Sequence, residues 1–157
     1  SDPAGRPLTA AECALAESVF GGAIALDAVR IYRRKWWPFQ PRNIVMAPCG
    51  HIHFHPESHS YRGCFAEAEP GAQGLFIHEM THVWQAQNGV SLLLAKIKAG
   101  DSERSYAYDL NGGVEFLAMN IEQQAMVVEH AFVASRGGET PHPASLYAAA
   151  SPHWRRT

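Results

Sequence analysis

His78 and His82 stand four residues apart, with Glu79 directly after the first. On a helix that spacing stacks the two imidazoles on one face, about a turn from each other. Two imidazoles so placed can close on a single zinc ion. Glu79 would not be a ligand there. It would stand beside the metal and take a proton from the water that zinc activates. A chain with 9 histidines gives a chance match some weight. The frame weighs against chance: Phe76, Ile77, Met80, Val83 and Trp84 would bury one side of the helix and hold the histidines rigidly.

A catalytic zinc keeps three protein ligands and one open position. The extended motif that supplies a third histidine after a glycine is excluded, because Gln85 and Asn88 occupy those two positions. A carboxylate on a later helix is the other route. Glu115, Glu122 and Glu129 are seven apart and share roughly one face of a helix expected over 114–135. Glu122 is preferred, as a mid-helix residue with small Ala118 and Ala125 a turn to either side. Glu115 has an ordinary role near a helix start, where acids complement the dipole. Glu129 is expected to be more exposed, and Asp109 stays a candidate. Gln85, Gln123 and Gln124 could orient ligands from behind. Amide hydrolysis also needs a donor for the oxyanion. Tyr108 is the first choice, with Tyr106 and the row His51, His53 and His55 as alternatives.

Several elements must position these groups. Thr9 and Glu12 form a capping box that opens a helix running to Phe20, stopped by Gly21-Gly22. Alternation of apolar and polar residues predicts strands over 28–33 and 51–55, and residues 43–47 read as a further strand between them. In the last of these the three histidines share one face, and Ile52 and Phe54 the other. Water is the expected surrounding of the histidine face, and a cleft edge that pairs with a peptide substrate is the second option. Residues 35–41 form an aromatic, proline-rich connection. Residues 57–70 read as a flexible polar loop, and 1–7 as a loose lead-in. The zinc helix is expected over 71–87, closed by Asn88-Gly89. A short apolar helix follows over 90–98, ended by Gly100. A short strand at 106–108, the long helix at 114–135 and a short helix at 146–150 complete the chain, with Pro141, Pro143 and Pro152 in the tail.

At 157 residues the chain is read as one domain, 1–157, with a core that needs no staples. Hydrophobic content of 46% and charged content of 18% are those of a folded protein. A net charge of −2 gives no reason to expect nucleic acid or an anionic membrane as partner. No apolar run approaches the roughly 18 residues of a membrane span. Three cysteines without a Cys-x-x-Cys pair make neither a disulfide framework nor a zinc knuckle, though a Cys49–Cys64 bridge is open. The first residue is Ser1 and not Met, which points to processing; a cytoplasmic and an exported location both stay open.

The stretch from Gly74 to Gln85 resembles bacterial zincin-like metallopeptidases of the Vgr-related type. More distantly it resembles the metallopeptidase-like domain of contractile injection systems. Leu8-Thr9-Ala10-Ala11-Glu12 with Val19-Phe20-Gly21, His53-Phe54-His55-Pro56, and Ile121-Glu122-Gln123-Gln124-Ala125 carry the same resemblance as far as about residue 135. It implies an α+β zincin-like fold, with a small mixed sheet packed against an active-site helix and a second long helix. It also favours Glu122 as the third ligand. The reading is a zinc-dependent metallopeptidase: metal on His78, His82 and Glu122, Glu79 as general base, Tyr108 as oxyanion donor. The expected partners are a peptide or protein substrate and a secretion-system component, with the chain itself a monomer. The alternative is a catalytically silent binding or scaffold module of such a system.

Overall fold

One buried acid organises the N-terminal half. Glu12 closes the predicted capping box: its backbone N–H donates to Thr9 Oγ1 at 3.0 Å, and its carboxylate accepts from the Thr9 N–H at 2.9 Å. The same carboxylate accepts from both terminal nitrogens of Arg6 and from the Phe65 N–H. Glu12 is thereby held with no exposure, its charge compensated on every side. A computed structural model describes residues 5–99 and 103–150 of the chain. Helix α1, Ala10–Phe20, buries Leu15, Ala16, Val19 and Phe20 and ends at Gly21, as predicted.

The lead-in is more ordered than the sequence suggests. Arg6–Pro7 forms strand β1, antiparallel to β2, Arg30–Tyr32. The Arg6 contacts to Glu12 hold it there. β2 runs parallel to β3, Ile52–His53, and the sheet order is β1-β2-β3. The strand predicted over 43–47 is reduced to a single antiparallel bridge, Met46 with His53. Pro41 and Pro48 bracket it, and the buried Gln40 takes the Ile44 carbonyl that a strand partner would need. The predicted strands at 28–33 and 51–55 survive at three and two residues.

Helix α2 is Pro70–Gln87. Pro70 sits in its first turn, where no partner for an N–H is lost, and Gly89 leaves the helix at φ 84°. The loop before it is no loose tether. Phe65 is buried in a short turn, Phe65–Glu67, and stacks on Phe54 and Phe76 with ring centroids 5.5 and 5.8 Å apart. Helices α3, Leu92–Ala99, and α4, Glu103–Tyr106, follow. The predicted strand at 106–108 is absent, because 103–106 coil into α4.

Helix α5, Ile121–Ser135, begins seven residues later than the predicted 114. Asn120 stops it from extending backward: its side chain accepts from the Gln123 N–H at 2.8 Å, and Gln123 Oε1 accepts from the Asn120 N–H at 3.0 Å. Residues 116–118 form a separate turn. Glu122 therefore lies in the first turn of α5 and not at its middle, and Glu115 precedes the helix. Helix α6, Ala144–Ala150, packs on α5 through the buried Tyr147. The architecture is a small mixed sheet with several helices, an α+β fold whose core joins α1, the sheet, α2 and α5. All three cysteines are free. Residues 1–4, Gly100 and Pro152 lie outside the described residues.

Candidate metal centre

Helix α2 is buried along most of its length, so its polar face must turn toward α5 rather than toward water. His78 and His82 project from that face. Their Nε2 atoms lie 3.3 and 3.0 Å from the same Glu122 Oε1. One nitrogen from each histidine and one carboxylate oxygen fall within 4.8 Å of one another. All three residues are buried to 6–8% exposure. Ligands at about 2.0–2.1 Å in a tetrahedral zinc site are separated by roughly 3.3 Å, so the observed spacing fits a metal of that size. The structure thus brings together the three residues the sequence proposed as ligands.

The opposite ring nitrogens decide the tautomers. His78 Nδ1 lies 2.9 Å from Glu129 Oε1, and His82 Nδ1 lies 2.8 Å from Gln85 Oε1. Both partners accept, so each Nδ1 carries a proton, and each Nε2 can offer its lone pair to a metal once no proton is held there against Glu122. Gln85 is held in turn: its Nε2 donates to the Ile121 carbonyl at 3.0 Å and to Gln124 Oε1 at 2.8 Å. Gln124 reaches the carbonyls of Phe116 and Met119. Gln85 and Gln124 thus stand behind the ligands as the sequence suggested, whereas Gln123 serves the helix cap. Glu129 departs from expectation: it is half-buried and engaged with His78, not exposed. Its place on the Glu122 face, two turns on, was the available signal.

Electrostatics follow from the two acids. Burial opposes a charge on His78, but its hydrogen bonds with Glu122 and Glu129 outweigh that and push its pKa up to about 10 in the metal-free chain. A proton there competes with a metal for the same position. Burial raises the Glu79 pKa above the usual carboxylate range, Glu122 and Glu129 push the same way, and the two histidines oppose. Glu79 is 6% exposed and lines the same cleft as the three candidate ligands. No hydrogen bond is made to its carboxylate among the described residues.

The cleft encloses about 310 Å³ and is mainly apolar, with Leu75, Leu92, Leu93 and Ile121 near the ligands and Trp36 and Ile44 on its rim. Tyr106 lines it; Tyr108 does not. The Tyr108 hydroxyl meets His130 Nδ1 at 2.6 Å and the Tyr147 hydroxyl at 2.5 Å. That cluster, which sequence reasoning missed, joins α5 to α6. Burial first, then the Tyr147 hydrogen bond, holds the Tyr108 phenol protonated. Glu115, Asp109 and the histidine row are likewise not part of the centre. His51 Nδ1 accepts from the Arg30 N–H, and His55 Nδ1 accepts from the Glu57 N–H. His53 does not face water as expected: it is buried and stacked on Tyr32 at 4.7 Å. Residues 43–48 line the cleft instead.

No family model matches the chain. Over 137 residues it is 42% identical to the type VI secretion system spike protein VgrG2b of Pseudomonas aeruginosa. That alignment covers 83% of this chain and only 13% of the spike protein. Among solved structures, the effector domain of Pseudomonas aeruginosa VgrG2b matches with a TM-score of 0.77 at 37% identity. It covers 95% of this chain and 83% of that one.

Proposed function

This chain belongs to the family of the VgrG2b effector domain, and from that premise we propose that it is a zinc-dependent peptidase with a zincin-like site of the glutamate class. The observation that carries the reading is the meeting of His78, His82 and Glu122 with Glu79 at one buried cleft wall. Zinc on those three residues would supply Lewis-acid chemistry, acidifying a water and polarising a substrate carbonyl. Glu129 and Gln85 keep both imidazoles in the ligating tautomer. Glu79 takes the proton as the water oxygen bonds to the carbonyl carbon. It returns that proton to the amide nitrogen as the C–N bond breaks. The raised Glu79 pKa suits both roles. Peptide or protein is the substrate class that the cleft and this chemistry suit, with the protein acting as a monomer. Tyr106 is the better-placed oxyanion donor, since it lines the cleft and Tyr108 does not.

A second reading is favoured by the kinship. The relative is named for a secretion-system spike and not for a reaction, which supports association with such an apparatus more directly than it supports turnover. A silent scaffold or binding module would keep the fold and the metal. Zinc content and cleavage of fluorogenic peptides, measured on wild type, Glu122→Ala and Glu79→Gln, separate the two. The peptidase reading expects about one zinc in wild type and in Glu79→Gln, loss in Glu122→Ala, and turnover roughly 10²–10⁴-fold lower in Glu79→Gln. Equal turnover in wild type and Glu79→Gln would sink the assignment. Zinc without turnover in any form would leave the scaffold module.

A further inference from the structure

Net charge hides a local separation. Residues 30–42 hold Arg30, Arg33, Arg34, Lys35 and Arg42 and no acid, in a chain whose net charge is −2. Interleaved with them are Trp36, Trp37 and Phe39, and every residue from 33 to 39 is exposed. Trp36 is 36% exposed, Trp37 45% and Phe39 76%. Ile44, at 46%, lies close in sequence on the same rim of the cleft.

This display is held in shape. The buried Gln40 accepts from the Trp36 N–H at 2.8 Å and donates to the carbonyls of Ile44 and His53. Lys35 Nζ donates to the Pro38 carbonyl at 3.1 Å. The Trp37 and Phe39 rings meet edge to face at 5.4 Å. A loop pinned at its base whose aromatic rings stay uncovered is poised for something outside the chain.

We propose that residues 33–39 dock the protein on an anionic lipid surface. Tryptophan and phenylalanine beside lysine and arginine suit the boundary between headgroups and acyl chains: the rings enter the apolar layer and the cations stay with the phosphates. A protein partner of matching shape would have to be both acidic and apolar over one small patch, a pairing that a lipid surface supplies everywhere. No described helix is long and apolar enough to cross a membrane. Trp36 belongs to both the loop and the cleft, so docking sets the cleft mouth beside the lipid surface. The proposal does not depend on the zinc chemistry.

The test is co-sedimentation of the full chain with vesicles of phosphatidylglycerol and phosphatidylcholine, against phosphatidylcholine alone, at low and high salt. Wild type is compared with Trp37→Ala/Phe39→Ala and with Arg34→Gln/Lys35→Gln. Thermal melts and zinc content serve as fold controls, and the salt series separates the loss of charge from the loss of the Arg34 contact with the Tyr32 ring and of the Lys35 hydrogen bond to the Pro38 carbonyl. Binding to the anionic vesicles is expected, weakened by salt. The aromatic pair should lower partitioning by about tenfold or more. Each lost cation should lower it by roughly fivefold. No binding to anionic vesicles at low salt overturns the proposal. So does equal binding by wild type and the aromatic variant. A wild type that self-associates through Trp37 and Phe39 without touching vesicles also overturns it, and assigns the patch to a second copy.

Discussion

Replacing Gln85 with leucine keeps the volume and removes every polar contact the side chain makes. Gln85 is 1% exposed, so no water takes over. Three hydrogen bonds go: 2.8 Å to His82 Nδ1, 3.0 Å to the Ile121 carbonyl and 2.8 Å to Gln124 Oε1. The Ile121 carbonyl still has its helical partner. His82 Nδ1–H and Gln124 Oε1 are left alone in a buried site, at about 1–3 kcal/mol each. The metal-free protein should therefore lose about 2–6 kcal/mol, read as a lower urea midpoint at unchanged slope. Zinc affinity should fall separately, by about 10–100-fold, because nothing then holds the His82 proton on Nδ1 and its Nε2 lone pair toward the metal. Competition against a chromophoric chelator measures that. Gln85→Glu separates the two effects: a carboxylate still accepts from His82 but donates to neither the Ile121 carbonyl nor Gln124. It should be destabilised while keeping zinc. If Gln85→Leu binds zinc as tightly as wild type, or if both variants lose zinc alike, the orienting role is refuted.

Two further outcomes concern acid. Burial, and then the nearby charges of His51 and Arg34, push the His53 pKa down to about 4, and His53 Nδ1 has no hydrogen-bond partner among the described residues. A histidine with a lowered folded pKa is stabilising above its unfolded value of about 6.5, and that stability drains as pH falls toward 4. Wild type minus His53→Phe, by urea melts across that window, should show a difference growing by about 3 kcal/mol. A flat difference would mean that His53 titrates normally. Burial alone would raise the Glu12 pKa, but Arg6 and the backbone N–H groups of Phe65 and Thr9 outweigh it and lower the value. Stability from this acid is present above pH about 4.3 and lost as pH falls through its lower folded pKa. Glu12→Ala should cost about 3–5 kcal/mol near neutrality by strand β1 losing its anchor. A loss under about 1 kcal/mol would contradict that.

Legibility in the sequence followed the range of the interactions involved. The α1 capping box and the α2 histidine pair are local, spanning three or four residues, and both stand where the pattern put them. Glu122 was found by its type and its face, although the helix carrying it begins later than periodicity suggests. Its start was missed although Asn120-x-x-Gln123 has the same capping spacing as Thr9-x-x-Glu12, because residues 114–118 carry an apolar pattern that reads as helix. The Glu129–His78 contact spans 51 residues and the Tyr108–Tyr147 contact 39, and nothing local encodes either. The short strands failed for a related reason. Residues 44–47 are an apolar run that reads as a strand, but prolines flank it and the Gln40 side chain takes the Ile44 carbonyl that pairing would use.

Glu79 bears most on the choice between a peptidase and a silent module. A buried carboxylate normally collects donors, as Glu12 does here from Arg6, Thr9 and Phe65. Glu79 receives no hydrogen bond from the described residues; burial works most strongly against its charge, His78 and His82 favour it, and the carboxylates of Glu122 and Glu129 oppose it again. Such a group is a cost to the fold, of about 1 kcal/mol or more, even when it is partly protonated. A scaffold would gain by replacing it with glutamine, which keeps the shape and sheds the charge. The peptidase reading therefore expects Glu79→Gln, stripped of metal, to unfold at an equal or higher urea concentration than wild type while its turnover collapses. If Glu79 instead served the architecture, the same substitution would lower the midpoint, and retention of the acid would no longer argue for chemistry. Stability and turnover moving in opposite directions is the signature of a residue kept for a reaction.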